Sequence, residues 1–111
     1  INVDGAGYRG NPSEISFYEC PPFERDLALA EMKNFASMQE GAIWYQSDHM
    51  VFAMNQVPAI ALTTAAFMEM ETEIAHTEKD TPDLVDLSLL VDIARFLNGF
   101  INALANGGEH A

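Results

Sequence analysis

A nearly continuous apolar segment in the middle of the chain, residues 57–62 (Val-Pro-Ala-Ile-Ala-Leu), most constrains the fold. A strand with one face in water alternates apolar and polar residues, and this segment lacks that alternation. It therefore predicts a strand that is buried on both faces. Such strands are typical of parallel or mixed sheets that are covered by helices.

The last third of the chain predicts a long helix that begins after Asp86, a favourable N-cap residue, and ends near Asn106, where Gly107 and Gly108 follow. Two adjacent apolar stripes run along it, which is a face broad enough to cover a sheet. They are Leu89, Ile93, Phe96, Phe100 and Leu104, and next to them Leu90, Ala94, Leu97 and Ile101.

Further strands are predicted near residues 1–4, 15–18 and 41–45, and further helices over 23–38 and 49–55, while residues 65–74 are left open as loop or short helix. Strands that alternate with helices indicate a three-layer α/β fold. We expect a mixed, mostly parallel sheet flanked by helices.

The chain is strongly acidic, with 17 Asp and Glu residues against 5 Lys and Arg residues and a formal charge of −12. This balance argues against nucleic acid and anionic membrane surfaces as partners. No run of about 18 consecutive apolar residues occurs, so we expect no segment that spans a bilayer. Cys20 is the only cysteine, which excludes an internal disulfide.

Three polar clusters follow predicted strands or lie in the loops after them: Asp4, the tripeptide 47–49 (Ser-Asp-His), and His76 with Asp80. Such ends converge in an α/β sheet. Aspartate and neutral imidazole are common zinc ligands, and a nearby aspartate often orients a ligating histidine. Two plainer interpretations remain open: Asp4 could accept hydrogen bonds from the turn after it, and His76 could be an ordinary loop histidine.

These clusters, taken in order with residues 2–5 (Asn-Val-Asp-Gly) and 57–60 (Val-Pro-Ala-Ile), resemble the C-terminal half of the co-catalytic zinc aminopeptidases of metallopeptidase family twenty-eight. The resemblance implies that Asp4 binds one of two zinc ions and that His76 binds the other. It implies a site-lining or supporting role for Asp48, His49 and Asp80, and a peptide substrate. Residues 1–111 would be the C-terminal portion of one zinc-peptidase catalytic domain.

The chain departs from the family pattern in lacking a Glu-Glu pair and a His-x-Asp motif, which in the family supply the general base and the remaining ligands. We therefore expect the general base upstream of this chain and an inactive 111-residue chain. The N-terminal part of the same domain is then a partner, and uncovered surfaces favour self-association.

Two other functions remain as alternatives. One is a non-catalytic α/β binding module on the same scaffold. The other is a glutaminyl-cyclase-like acyltransferase, which ranks lower because those enzymes carry a bulky aromatic residue where this chain has Ala75.

Overall fold

The computed structural model describes residues 1–109. Four strands form one sheet in the order β1-β4-β2-β3. The strand β4 pairs parallel with β1 and antiparallel with β2, and β2 pairs parallel with β3. The sheet is therefore mixed, as the sequence predicts. The strands are β1 (Asn2–Val3), β2 (Ser13–Tyr18), β3 (Met38–Glu40) and β4 (Ala59–Thr64).

The helices lie on both faces of this sheet, which confirms the α/β layering. One face packs against α1 and α4, and the other carries α2 and the segment around Trp44. The helices are α1 (Pro22–Met32), α2 (His49–Met54), α3 (Phe67–Glu69), which continues as a π-helical turn (Met70–Ile74), and α4 (Leu87–Glu109). A 3-10 turn at Pro82–Leu84 precedes α4.

The last four residues of the apolar middle segment begin β4, which continues to Thr64, and all six residues of that strand are buried. Val57 and Pro58 lie before the strand and are exposed. Alternate side chains of β4 enter two different cores. Ile60 and Leu62 join the core beneath α1 and α4, where Phe96 and Phe100 stack with ring centroids 5.8 Å apart. Ala59 and Ala61 face the opposite layer. The prediction of a strand covered on both faces is confirmed.

The helix α4 begins after Asp86 as predicted but does not end at the glycines, since it continues to Glu109. Gly107 lies inside the helix and close to α1, since a Cβ at this position would lie 3.4 Å from the ring of Phe23. The first apolar stripe of α4 faces the core, whereas the second is partly in solvent, with Ile101 50% exposed.

By length and composition alone, the span Leu87–Gly107 of α4 could cross a membrane, although the core helix of a soluble protein meets the same criteria. In the structure Ile93, Phe96 and Phe100 of this helix are buried in the core. The expectation that nothing in the chain spans a bilayer remains a prediction.

Two predicted elements differ from the structure. The helix expected over 23–38 ends at Met32, because residues 33–38 form successive turns that bring Met38 into the core as the first residue of β3. The strand expected over 41–45 is wrong, since these residues have no regular secondary structure. The backbone of Trp44 is held instead by the Tyr18 hydroxyl, which accepts from the Trp44 N–H at 2.9 Å and donates to its carbonyl at 2.8 Å.

Candidate metal centre

A cavity of about 270 Å³ lies where the chain leaves the carboxyl ends of the parallel strands β1 and β4. Asp4 follows β1 directly, and the segment after β4 leads to His76. Both residues line this cavity, and so does Asp80. The topology thus brings Asp4 together with His76 and Asp80, which lie far from it in the sequence. The cavity is also lined by Tyr8 and Glu71, which the sequence pattern does not single out.

The turn after Asp4 requires a glycine. Gly5 has φ +67°, in the left-handed region that side chains rarely adopt. A Cβ at this position would also lie 2.6 Å from the Met70 methyl group and 3.3 Å from Thr63 Oγ1. Gly5 therefore lets the chain turn sharply behind Asp4 while the π-helical turn packs against it.

His76 has an unusual local backbone. It follows the π-helical turn, whose last hydrogen bond joins the Ala75 N–H to the Met70 carbonyl at 2.7 Å, and its own φ is +61°. Histidine tolerates the left-handed region better than most residues, but such conformations and π-helical turns concentrate at functional sites. The side chain is exposed on the cavity.

The loop that carries Asp80 is fixed beside the loop after β1. Arg9 donates from Nε to the Asp83 carbonyl at 2.9 Å and from a terminal nitrogen to the Val85 carbonyl at 3.1 Å. The backbone reinforces this contact, because the Arg9 N–H donates to the Leu84 carbonyl and the Asp86 N–H to the Gly7 carbonyl, both at 2.8 Å.

A chain of hydrogen bonds connects Asp4 to a buried histidine. The Ser47 hydroxyl donates to Asp4 Oδ2 at 2.6 Å, and Asn2 Nδ2 donates to Ser47 Oγ at 2.9 Å. The same Asn2 nitrogen lies 3.1 Å from His49 Nδ1, and His49 Nε2 lies 2.6 Å from the Trp44 carbonyl. Because a carbonyl only accepts, Nε2 carries the proton and Nδ1 accepts from Asn2.

His49 is 1% exposed and packs between two aromatic rings. Its ring centroid lies 4.7 Å from that of Tyr18 and 4.5 Å from that of Trp44. His49 therefore reaches the site only through Asn2 and Ser47. Asp48 is exposed and lines a different cavity, and it makes no side-chain capping bond to α2.

The cavity is acidic at its rim. Desolvation raises the pKa of Tyr8, and the carboxylate of Glu69, whose Oε1 lies 3.5 Å from the Tyr8 hydroxyl, raises it further. The phenol therefore keeps its proton at neutral pH and directs it at Glu69 beside the cavity.

The donor types fit zinc only in part. Asp4 has one carboxylate oxygen, Oδ1, that is not engaged by Ser47, and His76 has an exposed imidazole, and both are ordinary zinc ligands. Within residues 1–109, however, no three His, Cys, Asp or Glu side chains lie close enough to hold a metal ion. The described residues thus offer two ligands on one cavity and no complete set.

A mixed α/β sheet with an aspartate and a histidine on one cavity at its strand ends fits a metal-dependent enzyme. The model of peptidase family M28 matches residues 1–101, and the chain belongs to that family. Membership indicates a metallopeptidase, and therefore a hydrolase. Neither the curated proteins nor the solved structures compared with the chain gave a match.

Proposed function

We propose that this chain contributes to the two-zinc centre of an aminopeptidase that removes N-terminal residues from peptides. Asp4 binds one zinc ion and His76 binds the other. The observation that carries the proposal is that these two side chains, which are far apart in the sequence, line one cavity of about 270 Å³. Membership of peptidase family M28 supports it.

The proposal requires further ligands and a general base from outside the 111 residues, since the described part holds no complete metal-binding group. We therefore propose that residues 1–111 form the C-terminal portion of one catalytic domain and that its N-terminal part is their partner. When bound, zinc supplies a Lewis acid for a peptide carbonyl.

The residues of this chain position and stabilise the ligands. The hydrogen bond from Ser47 fixes one oxygen of Asp4 and leaves the other for coordination. The packed turn at residues 70–76 holds the His76 ring on the cavity. Asp80, on the same cavity, can accept the second ring N–H of His76, as second carboxylates commonly do beside metal-binding histidines.

The first test is zinc content by elemental analysis, measured on the 111-residue chain and on the protein from the complete reading frame. We expect about two equivalents in the complete protein and almost none in the chain alone, because one ligand per ion holds a metal weakly. His76→Ala in the complete protein should lower zinc content and reduce hydrolysis of aminoacyl substrates about a thousandfold, since a metal ion contributes several kcal/mol at the transition state.

The matched control is His110→Ala, the same substitution at a histidine to which the proposal gives no role. This variant should keep both zinc content and activity. Full activity in the His76→Ala variant would overturn the assignment.

A non-catalytic binding module is the second candidate. It is favoured by the lack of a complete metal-binding group within residues 1–109. It predicts no zinc in the complete protein and no turnover of aminoacyl substrates. Activity on N-terminal glutamine peptides, with release of a cyclised product, would instead indicate the acyltransferase.

A further inference from the structure

A larger cavity, of about 560 Å³, lies beside the candidate metal centre on the same face of the sheet. Trp44 and Phe67 form its aromatic walls, with ring centroids 4.5 Å apart. Its rim continues into the metal centre, because Met68 and Glu69 line this cavity and the residues that follow them, Met70 and Glu71, line the other.

The floor of this cavity is a polar row that crosses the sheet. Thr63 of β4 pairs directly with Glu14 of β2, and Glu14 pairs with Gln39 of β3, so the three side chains point to the same face. Asp4 occupies the next position of the same row, since its N–H bonds to the Leu62 carbonyl. Glu14 therefore lies about 10 Å from Asp4 across the sheet, or two interstrand spacings.

Two features of this floor have no structural explanation. Thr63 is 3% exposed, and its hydroxyl has no hydrogen-bond partner among residues 1–109. Buried hydroxyls are normally satisfied, so an unpartnered one in the wall of a cavity points to a ligand. Glu14 is a half-buried carboxylate in a strand interior, and its one side-chain hydrogen bond comes from Gln39 Nε2, at 2.8 Å.

The charged side chains that line the cavity are all acidic. Glu14 and Glu69 contribute carboxylates, and within the described chain no lysine, arginine or histidine lines the cavity. Trp44 and Phe67 provide apolar surface for a long aliphatic stem, and an indole face also attracts a cation. The combination suits a side chain with an apolar stem and a cationic end.

We propose that this cavity binds a lysine or arginine side chain, with Glu14 as the residue that determines this specificity. The assignment of this side chain to the N-terminal residue of a peptide substrate rests on the proposed function. The ammonium or guanidinium group binds the Glu14 carboxylate, the Thr63 hydroxyl accepts a hydrogen bond from it, and the stem packs on Trp44.

The test is a binding titration of the full 111-residue chain with L-lysinamide and L-norleucinamide in the presence of a metal chelator. The two amides share an α-ammonium group and a four-carbon stem, and only lysinamide has a cationic side-chain end. Trp44 is the only tryptophan, so its fluorescence reports occupancy of the cavity. We expect lysinamide to bind about tenfold more tightly than norleucinamide, as a partly exposed charged hydrogen bond would give.

Glu14→Gln should reduce this preference to about twofold or less, because it removes the charge and keeps the shape. The matched control is Glu24→Gln, which makes the same change in the first turn of α1 on the opposite face of the sheet and should leave the preference intact. Equal affinities for the two amides, or an unchanged preference in Glu14→Gln, would overturn the proposal.

Thr63→Val is a second variant in case Glu14→Gln folds poorly. It removes an unpartnered buried hydroxyl, so the melting temperature should rise while lysinamide affinity falls. A higher melting temperature with unchanged affinity would exclude the hydroxyl from binding and contradict the proposed contact.

The titration is independent of zinc and of turnover. A preference for lysinamide, together with a complete protein that binds no zinc, would uphold the cavity and overturn the aminopeptidase proposal. Zinc binding and peptidase activity of the complete protein, without this preference in the 111-residue chain, would uphold the aminopeptidase proposal and overturn the proposed side-chain cavity.

Discussion

At the scale of single residues, the candidate metal centre depends on hydrogen bonds with a fixed direction. Ser47 can donate to Asp4 because its own oxygen accepts from Asn2, and the second proton of the Asn2 amide is directed at His49. The position of the donated ring proton of His49, on Nε2, is set in turn by the Trp44 carbonyl. Three side chains, those of Ser47, Asn2 and His49, thus fix the orientation of one carboxylate.

Ser47→Ala should therefore weaken zinc binding by the complete protein about tenfold to a hundredfold, the usual effect of removing a partner that orients a metal ligand. A competition titration with a zinc-binding dye measures this. Ser37→Ala is the matched control, because the Ser37 hydroxyl also donates to an aspartate, Asp92, at 2.7 Å, but in a contact with α4. Equal zinc affinities of the two variants would contradict an orienting role for Ser47.

Residue types and strand ends made Asp4, His76 and Asp80 candidates, and the family resemblance gave Asp4 and His76 the role of metal ligands. The structure places all three on one cavity, and their roles stay predictions. The link from Ser47 to Asp4 could not be predicted, because it depends on how β1 docks against β4. Glu14 was missed for a different reason. The sequence indicated a strand only from Ile15, although Glu14, Ser16 and Tyr18 alternate on one face of the longer strand β2.

Among the secondary-structure elements, α4 has a start that is determined by a local cap and an end that the local sequence does not predict. Its start is local, since the Asp86 carboxylate accepts from the Ser88 N–H at 2.9 Å and from the Ser88 hydroxyl at 2.7 Å. Its end lies beyond the glycines, and Gly107 packs close to Phe23 and Leu27 of α1. The sequence therefore predicted the first boundary and missed the second.

The cap should make the stability of the chain depend on pH. The hydrogen bonds from Ser88 hold the pKa of the folded Asp86 carboxyl below its ordinary value of 3.8. A lowered pKa means that the contribution is complete above about pH 4 and is lost as the pH falls through the folded value. Asp86→Ala should lower the melting temperature by a few degrees at pH 7, with a smaller difference at pH 3.

Thermal melts of the two proteins between pH 7 and pH 3 measure this dependence. Asp26→Ala is the matched control, because Asp26 is an exposed acid in α1 that does not precede a helix. A deficit in Asp86→Ala that is as large at pH 3 as at pH 7 would contradict a carboxylate cap.

The short strand β3 shows the limit of periodicity as a guide. Three residues are too few to show an alternation of apolar and polar side chains. The nearby segment 41–45 is more apolar, so the strand was predicted there instead. The position of β3 is set instead by the turns after α1 and by burial of Met38. Neither is visible in a local pattern.

At the scale of the whole molecule, the chain exposes more surface than its size requires. Its accessible area is 6728 Å², whereas a compact monomer of 12.2 kDa exposes about 6,100 Å². The radius of gyration is 14.4 Å against about 13 Å for a compact domain of this length. Part of the surplus is apolar, including Leu87, Val91 and Ile101 along α4.

We therefore expect the 111-residue chain to self-associate, with an average mass that rises above that of the monomer as concentration increases. Light scattering across a concentration series measures this. Ile101→Lys should shift the chain towards the monomer, because it places a charge in the apolar stripe of α4. Asn102→Lys adds the same charge at an exposed polar position and should have less effect. A monodisperse monomer at all concentrations would contradict the prediction.

The strand that directly precedes Asp4, β1, lies at the edge of the sheet. Edge segments of this kind open locally at small free-energy cost, far below that of global unfolding. A metal ion that binds only the docked form would shift this local equilibrium in proportion to its concentration and affinity. Docking of β1 against β4 and occupancy of the metal centre are then linked equilibria. The fraction of molecules with β1 docked would therefore rise with the fraction that has metal bound.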